Sequence, residues 1–135
     1  MDRSILALIV EDNDVDFQIA DFIFRKISNR IFVNRCRNGE EAVSYLYDLK
    51  TSIPDFILLD IDMPIMNGKE FLKLKAKNEA FRDIPVIILS SSTLSVEKEE
   101  CLKLGAVDFI EKPLTVEAVD EILRVHAFIN TSNSN

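Results

Sequence analysis

Five short runs of Ile, Leu and Val constrain this chain more than any other feature: Ile5 to Val10, Ile31 to Val33, Phe56 to Leu59, Val86 to Leu89 and Val107 to Ile110. Each is of strand length. The stretches between them carry residues at helical spacing, all apolar but Lys75: Val15, Ile19, Phe22, Ile23 and Ile27; then Ala42, Val43, Leu46 and Leu49; then Phe71, Leu72 and Lys75; and finally Val116, Val119 and Leu123. A fourth helical stretch, Ser95 to Leu104, is less apolar and is expected to be the most exposed. Strands that are apolar throughout and joined by helices belong in a parallel sheet covered on both faces, so five strands alternating with five helices predict a doubly wound α/β domain. Punctuation agrees with this division. Asp14, Ser95 and Thr115 are expected as N-caps, Gly105 as the stop after Leu104, and Pro54, Pro64, Pro85 and Pro113 fall in connections.

At 135 residues, with 47% apolar and 29% charged, the chain suits one domain with a sizeable core. The expected domain runs over residues 1–129, with a polar, patternless tail at 130–135. A balance of 16 basic against 23 acidic residues gives a net charge of -7, which disfavours direct binding to DNA or anionic lipid. No run reaches the roughly 18 apolar residues of a membrane span, and the chain reads as cytoplasmic. Cys36 and Cys101 lack the close pairing of a zinc or redox site and are expected to be reduced. With a single histidine, His126, a zinc centre or a serine hydrolase triad lacks its parts.

The polar residues that matter follow the strands directly: Glu11 and Asp12 after the first, Asp60 after the third, Ser90 after the fourth, Glu111 and Lys112 after the fifth. In a doubly wound sheet all carboxyl ends lie along one edge, where ligands bind at the point of strand-order reversal. Separate segments therefore bring carboxylates, a hydroxyl and an ammonium to one cleft. Clustered carboxylates repel one another and call for a cation, and a ligand set of oxygens without His or Cys suits Mg²⁺, which favours a phosphate co-ligand. Asp60 can then act as a carboxylate nucleophile forming an aspartyl phosphate. Mg²⁺ and Lys112 would neutralise the phosphoryl oxygens, and Ser90 would donate a hydrogen bond to one of them.

Four runs, "ALIVEDN", "FILLDIDMPIMNGKEFL", "IPVIILSSS" and "GAVDFIEKPL", resemble in sequence and order the receiver domains of bacterial response regulators, over Ile5 to about Ile129. The resemblance implies a flavodoxin-like sheet of order 2-1-3-4-5 and a phosphoryl group passed to Asp60 by a sensor histidine kinase or histidine phosphotransfer protein. It implies that Asp12 and Asp60 bind Mg²⁺ directly, Glu11 through water and Asp62 through its backbone carbonyl. Ser90 and Lys112 match the family's hydroxyl and its lysine before a proline, where a cis bond is common; Phe109 matches the aromatic switch position. Such a chain catalyses its own phosphorylation and slow dephosphorylation. It signals through the face of the fourth helix, fifth strand and fifth helix, to a downstream protein or a second copy of itself, in the manner of chemotaxis-type single-domain receivers.

Two departures stand out. Phe109 replaces the more usual Tyr, and Asp62 adds a carboxylate that bears on phosphate lifetime. Among competing readings, Asp60-Ile61-Asp62 also resembles the nucleophile motif of haloacid-dehalogenase-type phosphatases, but the chain is short for that family and its acidic pair precedes the nucleophile. A receiver-like module that binds without phosphate would not need the complete set of Asp12, Asp60, Ser90 and Lys112. An FMN-binding flavodoxin would not place Glu11, Asp12, Asn13 and Asp14 in its phosphate loop.

Overall fold

The computed structural model describes residues 4–48, 50, 52–61, 66–92 and 94–126. Over these residues the strands are β1 (Ile5–Val10), β2 (Ile31–Cys36), β3 (Phe56–Asp60), β4 (Val86–Ser90) and β5 (Asp108–Glu111). The helices are α1 (Asp14–Ile27), α2 (Gly39–Tyr47), α3 (Gly68–Ala76), α4 (Ser95–Lys103) and α5 (Val116–His126). All strand pairs are parallel, as the apolar runs imply, in the order β2-β1-β3-β4-β5 that the resemblance implies. Strand order reverses between β1 and β3, so a cleft opens at their carboxyl ends.

Period-two alternation divides each central strand between two cores. Ile5, Ala7, Ile9, Phe56, Leu58, Ile87 and Leu89 pack with Ala20, Ile23 and Phe24 of α1 and Val119, Ile122 and Leu123 of α5. Leu8, Val10, Ile57, Leu59, Val86 and Ile88 face Ala42 and Leu46 of α2, Phe71 and Leu72 of α3 and Cys101 of α4. The edge strands depart from the expectation of unbroken burial. β2 runs three residues beyond its apolar stretch because backbone pairing with β1 continues to Cys36, and within that stretch Phe32 is exposed. β5 is half-buried.

Helix α1 is rotated from its expected register. Its inner face is Phe17, Ala20, Ile23, Phe24 and Ile27, with the Phe24 ring 5.8 Å from that of Phe56, while Val15, Ile19 and Phe22 are exposed. Apolar residues occur around most of this helix, and small Ala20 lets that side approach the sheet. On α3, Lys75 belongs to the buried stripe as its spacing implies, its ammonium donating to the Arg82 carbonyl at 2.8 Å. Cys101 is the buried residue of α4, the least apolar helix.

Two expected caps move by one residue. Asn13, rather than Asp14, caps α1, its Oδ1 accepting the Asp16 N–H at 2.9 Å. The Asp14 carboxylate turns instead to Arg35 at 2.8 Å and Arg37 at 3.1 Å. Leu94 occupies the cap of α4 without a side-chain bond, and Ser95 is its first residue. Thr115 does cap α5, accepting the Ala118 N–H, and Gly105 ends α4 at φ 108°, a conformation that a Cβ disfavours. Leu49, Asp62, Pro64 and the 130–135 tail lie outside the described residues. Among the described residues, no helix is long and apolar enough to cross a membrane.

Candidate phosphoacceptor site

The carboxyl edge of the sheet gathers Glu11, Asp12, Asp60, Ser90 and Lys112 into one cleft. Asp60 ends β3 and Ser90 ends β4; both are buried, at 5% and 0% exposure. Glu11 follows β1 and is buried at 2%. One carboxylate oxygen from each of Glu11, Asp12 and Asp60 can lie within 4.8 Å of the others. That spacing suits one small cation among oxygen ligands. Asp62 lies outside the described residues.

The electrostatics reflect the crowding. Burial, then a hydrogen bond with Asp60 and the charge of Asp60, push the Glu11 carboxyl up to about 8, against the Asn13 N–H and Lys112, which favour its ionised form. The Lys112 ammonium is 2.8 Å from Asp16 Oδ2, 3.1 Å from Glu11 Oε1 and 3.6 Å from Asp60 Oδ2. Burial works against its charge, but the bonds to Asp16 and Glu11 and the charges of Asp60 and Glu11 outweigh it and hold it above the usual lysine range.

Backbone bonds tie the loops together. The Lys112 N–H donates to the Ser90 carbonyl at 2.7 Å, joining the ends of β4 and β5. Lys112 precedes Pro113 through a cis peptide bond. The Ser90 hydroxyl accepts the Ser92 N–H at 3.0 Å, and a hydroxyl that accepts one bond still has a hydrogen to donate. Phe109, paired with Ile88 across the β4–β5 register, packs half-buried against the core under α4.

Three further residues shape the cleft without having been singled out in the sequence. Arg35 donates from Nε to the Glu11 carbonyl at 3.1 Å, pairs with Asp14 and lies over the Phe17 ring at 4.6 Å, so β2 braces the acidic loop. Gly68 opens α3 against the loop after β3, where a Cβ would meet Ile61 Cα at 2.8 Å and the Asp60 carbonyl at 3.1 Å. Asp16 holds Lys112. The nearest sequence signals were a glycine in the turn-rich stretch after Asp60 and an acidic first turn on α1; for Arg35, in an edge strand, local sequence offers none.

A family profile for the response regulator receiver domain matches residues 7–124. Over 86 residues the chain is 45% identical to a protein-glutamate methylesterase/protein-glutamine glutaminase of Bacillus licheniformis, an alignment covering 62% of this chain and 22% of that protein. Several curated relatives are longer proteins, of whose length this chain spans between 5% and 59%. Among solved structures, a two-component response regulator from Legionella pneumophila superposes with a TM-score of 0.84 at 32% identity, covering 93% of this chain and all 100% of that one. The receiver domain of a Pseudomonas aeruginosa sensor histidine kinase, solved with a magnesium ion coordinated in its active site cleft, superposes with a TM-score of 0.81 at 25% identity, covering 93% of this chain and 99% of that one.

An acidic pocket at the carboxyl edge of a 2-1-3-4-5 sheet makes this a CheY-like receiver of flavodoxin-like fold, the signalling module of two-component systems. The chain belongs to the response regulator receiver domain family.

Proposed function

We propose that Asp60 is the phosphoacceptor of this receiver and that Mg²⁺ is its cofactor. The observation that carries this reading is the placement of the buried Asp60 carboxylate, 3.6 Å from the Lys112 ammonium and grouped with Glu11 and Asp12. The donor set is all oxygen and negatively charged, which suits a hard divalent ion, and the Asp60 carboxylate beside the buried Glu11 adds to the cost of ionising it. Asp12 and Asp60 would hold the ion directly, Glu11 through water and Asp62 through its carbonyl. The magnesium found in the Pseudomonas relative supports the choice of metal. When bound, the ion supplies positive charge against the transferred phosphoryl oxygens.

An Asp60 carboxylate oxygen attacks phosphorus. The bond from phosphorus to the donor's imidazole nitrogen breaks, and the electron pair leaves with that nitrogen, in a sensor histidine kinase or histidine phosphotransfer protein. Lys112 and the Ser90 hydroxyl face the oxygens of the new phosphoryl group. Drawing Ser90 toward phosphate moves the end of β4, and the Lys112–Ser90 backbone bond carries that movement to β5 and Phe109. Output is a change in the face of α4, β5 and α5, read by a downstream protein or a second copy of the chain, without direct DNA binding. The functional unit is residues 1–129, in the cytoplasm.

The experiment is phosphorylation by acetyl phosphate with Mg²⁺, followed by intact mass. One phosphoryl group is expected on the wild type and none on Asp60→Asn. Equal, acid-labile incorporation by Asp60→Asn would show that another residue is the acceptor.

A further inference from the structure

Lys112 is held most closely by a carboxylate that the phosphoacceptor reading does not use. Asp16 Oδ2 is 2.8 Å from the ammonium, nearer than Glu11 at 3.1 Å and nearer than Asp60 at 3.6 Å. Asp16 occupies the first turn of α1, its N–H taken by the Asn13 cap at 2.9 Å. Its backbone is therefore fixed, while its carboxylate is one-third exposed. The two acidic residues of this turn divide their partners: Asp14 faces Arg35 and Arg37, and Asp16 faces Lys112. The Lys112–Asp16 bond also joins the segment after β5 to α1, 96 residues apart in the chain.

We propose that Asp16 is a positioning residue that restrains phosphorylation by drawing Lys112 toward α1. This rests on Asp60 being the phosphoacceptor. An ammonium has three N–H donors, and here three carboxylates surround it. Phosphoryl oxygens arriving on Asp60 must share that charge with Asp16. The Asp16 carboxylate also repels the arriving negative charge, so both effects act in one direction. Removing the charge of Asp16 frees Lys112 for the phosphoryl group and speeds its transfer.

The test compares the wild type with Asp16→Asn, Asp16→Ala and Asp16→Glu at saturating Mg²⁺. It reads the initial rate of Asp60 phosphorylation by acetyl phosphate and the half-saturating concentration of beryllofluoride, an anionic phosphoryl mimic. The Asn and Ala variants should be phosphorylated roughly two- to fivefold faster, the weight of a partly exposed ion pair, and should bind beryllofluoride tighter by a similar factor. Asp16→Glu, which keeps the charge, should stay near wild type. A purely structural role for Asp16 would slow all three. Wild-type or slower rates in Asn and Ala, in proteins whose amide NMR spectra show the native fold, would overturn the restraint while leaving the phosphoacceptor reading in place. Failure of the wild type to gain phosphate on Asp60 would overturn both.

Discussion

The buried Glu11 carboxyl makes the stability of the metal-free protein depend on pH in a direction opposite to that of an acid whose pKa is lowered by folding. In the fold its pKa rises from 4.5 to about 8, through burial first and then the neighbouring Asp60. Between those values the folded state keeps a proton that the unfolded state has released. Stability therefore falls as pH rises, by up to about 1.4 kcal/mol per unit. Full stabilisation from this group is present below about pH 4.5 and is lost as pH passes through 8. Across the whole interval the loss has an upper bound of about 5 kcal/mol, a large part of the 5–15 kcal/mol that typically stabilises a domain. Lys112 does not oppose this trend, because its pKa is raised above a range already higher than this window.

The assay is urea unfolding at pH 6 and pH 8.5, with chelator and then with Mg²⁺. In chelator the midpoint should fall at the higher pH. Mg²⁺ should restore it, because an ion among the ionised carboxylates binds the folded state alone. Glu11→Gln removes the titrating group and should flatten the dependence. Wild-type stability that is level or increasing from pH 6 to 8.5 in chelator, or a slope that persists in Glu11→Gln, would refute the argument.

Two other perturbations test the packing and the coupling of the site. Gly68→Ala places a Cβ 2.8 Å from Ile61 Cα, so backbone must shift; a cost of about 1–3 kcal/mol in urea unfolding and slower phosphorylation of Asp60 are expected, and unchanged values for both would show that the loop yields freely. Ser90→Ala should still accept phosphate but respond incompletely, because a charge-assisted hydrogen bond contributes about 1.5–3 kcal/mol while a complete population shift takes about 5.5 kcal/mol; amide NMR with beryllofluoride should show reduced shifts in α4, β5 and α5, and a full wild-type pattern would remove Ser90 from the route.

The sheet was legible because its central strands are buried on both faces and advertise themselves as unbroken apolar runs. β2 was legible only in its first half, since Asn34 and Arg35 owe their strand conformation to pairing with β1, which a local apolar run does not encode. Topology made the candidate site legible: once strands are parallel, residues just past their ends must share an edge, so Glu11, Asp60, Ser90 and Lys112 could be grouped before any distance was known. The limits of that argument appear at α1. The same composition supports two apolar stripes, and only contact with the sheet selects Ala20 and Phe24 over Val15, Ile19 and Phe22. Likewise, Asp14 looks like a cap until arginines from β2 and the residues after it draw its carboxylate away.

Charge partners across the fold are what sequence order hides, and they matter because this cleft is over-supplied with carboxylates. The cations near it are therefore drawn to more than one acceptor. Arg35 is committed to the loop, with its Nε on the Glu11 carbonyl and its guanidinium on Asp14, so it steadies the acidic residues. Lys112 is divided among Asp16, Glu11 and Asp60, and its own N–H is fixed to Ser90. A charge added at Asp60 can redistribute the Lys112 side chain while its backbone stays tied to β4. On the proposed reading, the same residue would meet the phosphoryl group with its ammonium while its N–H joins β4 to β5. On that reading, the Ser90–Lys112 junction, rather than the acidic loop, would be where a change at Asp60 passes toward α4, β5 and α5.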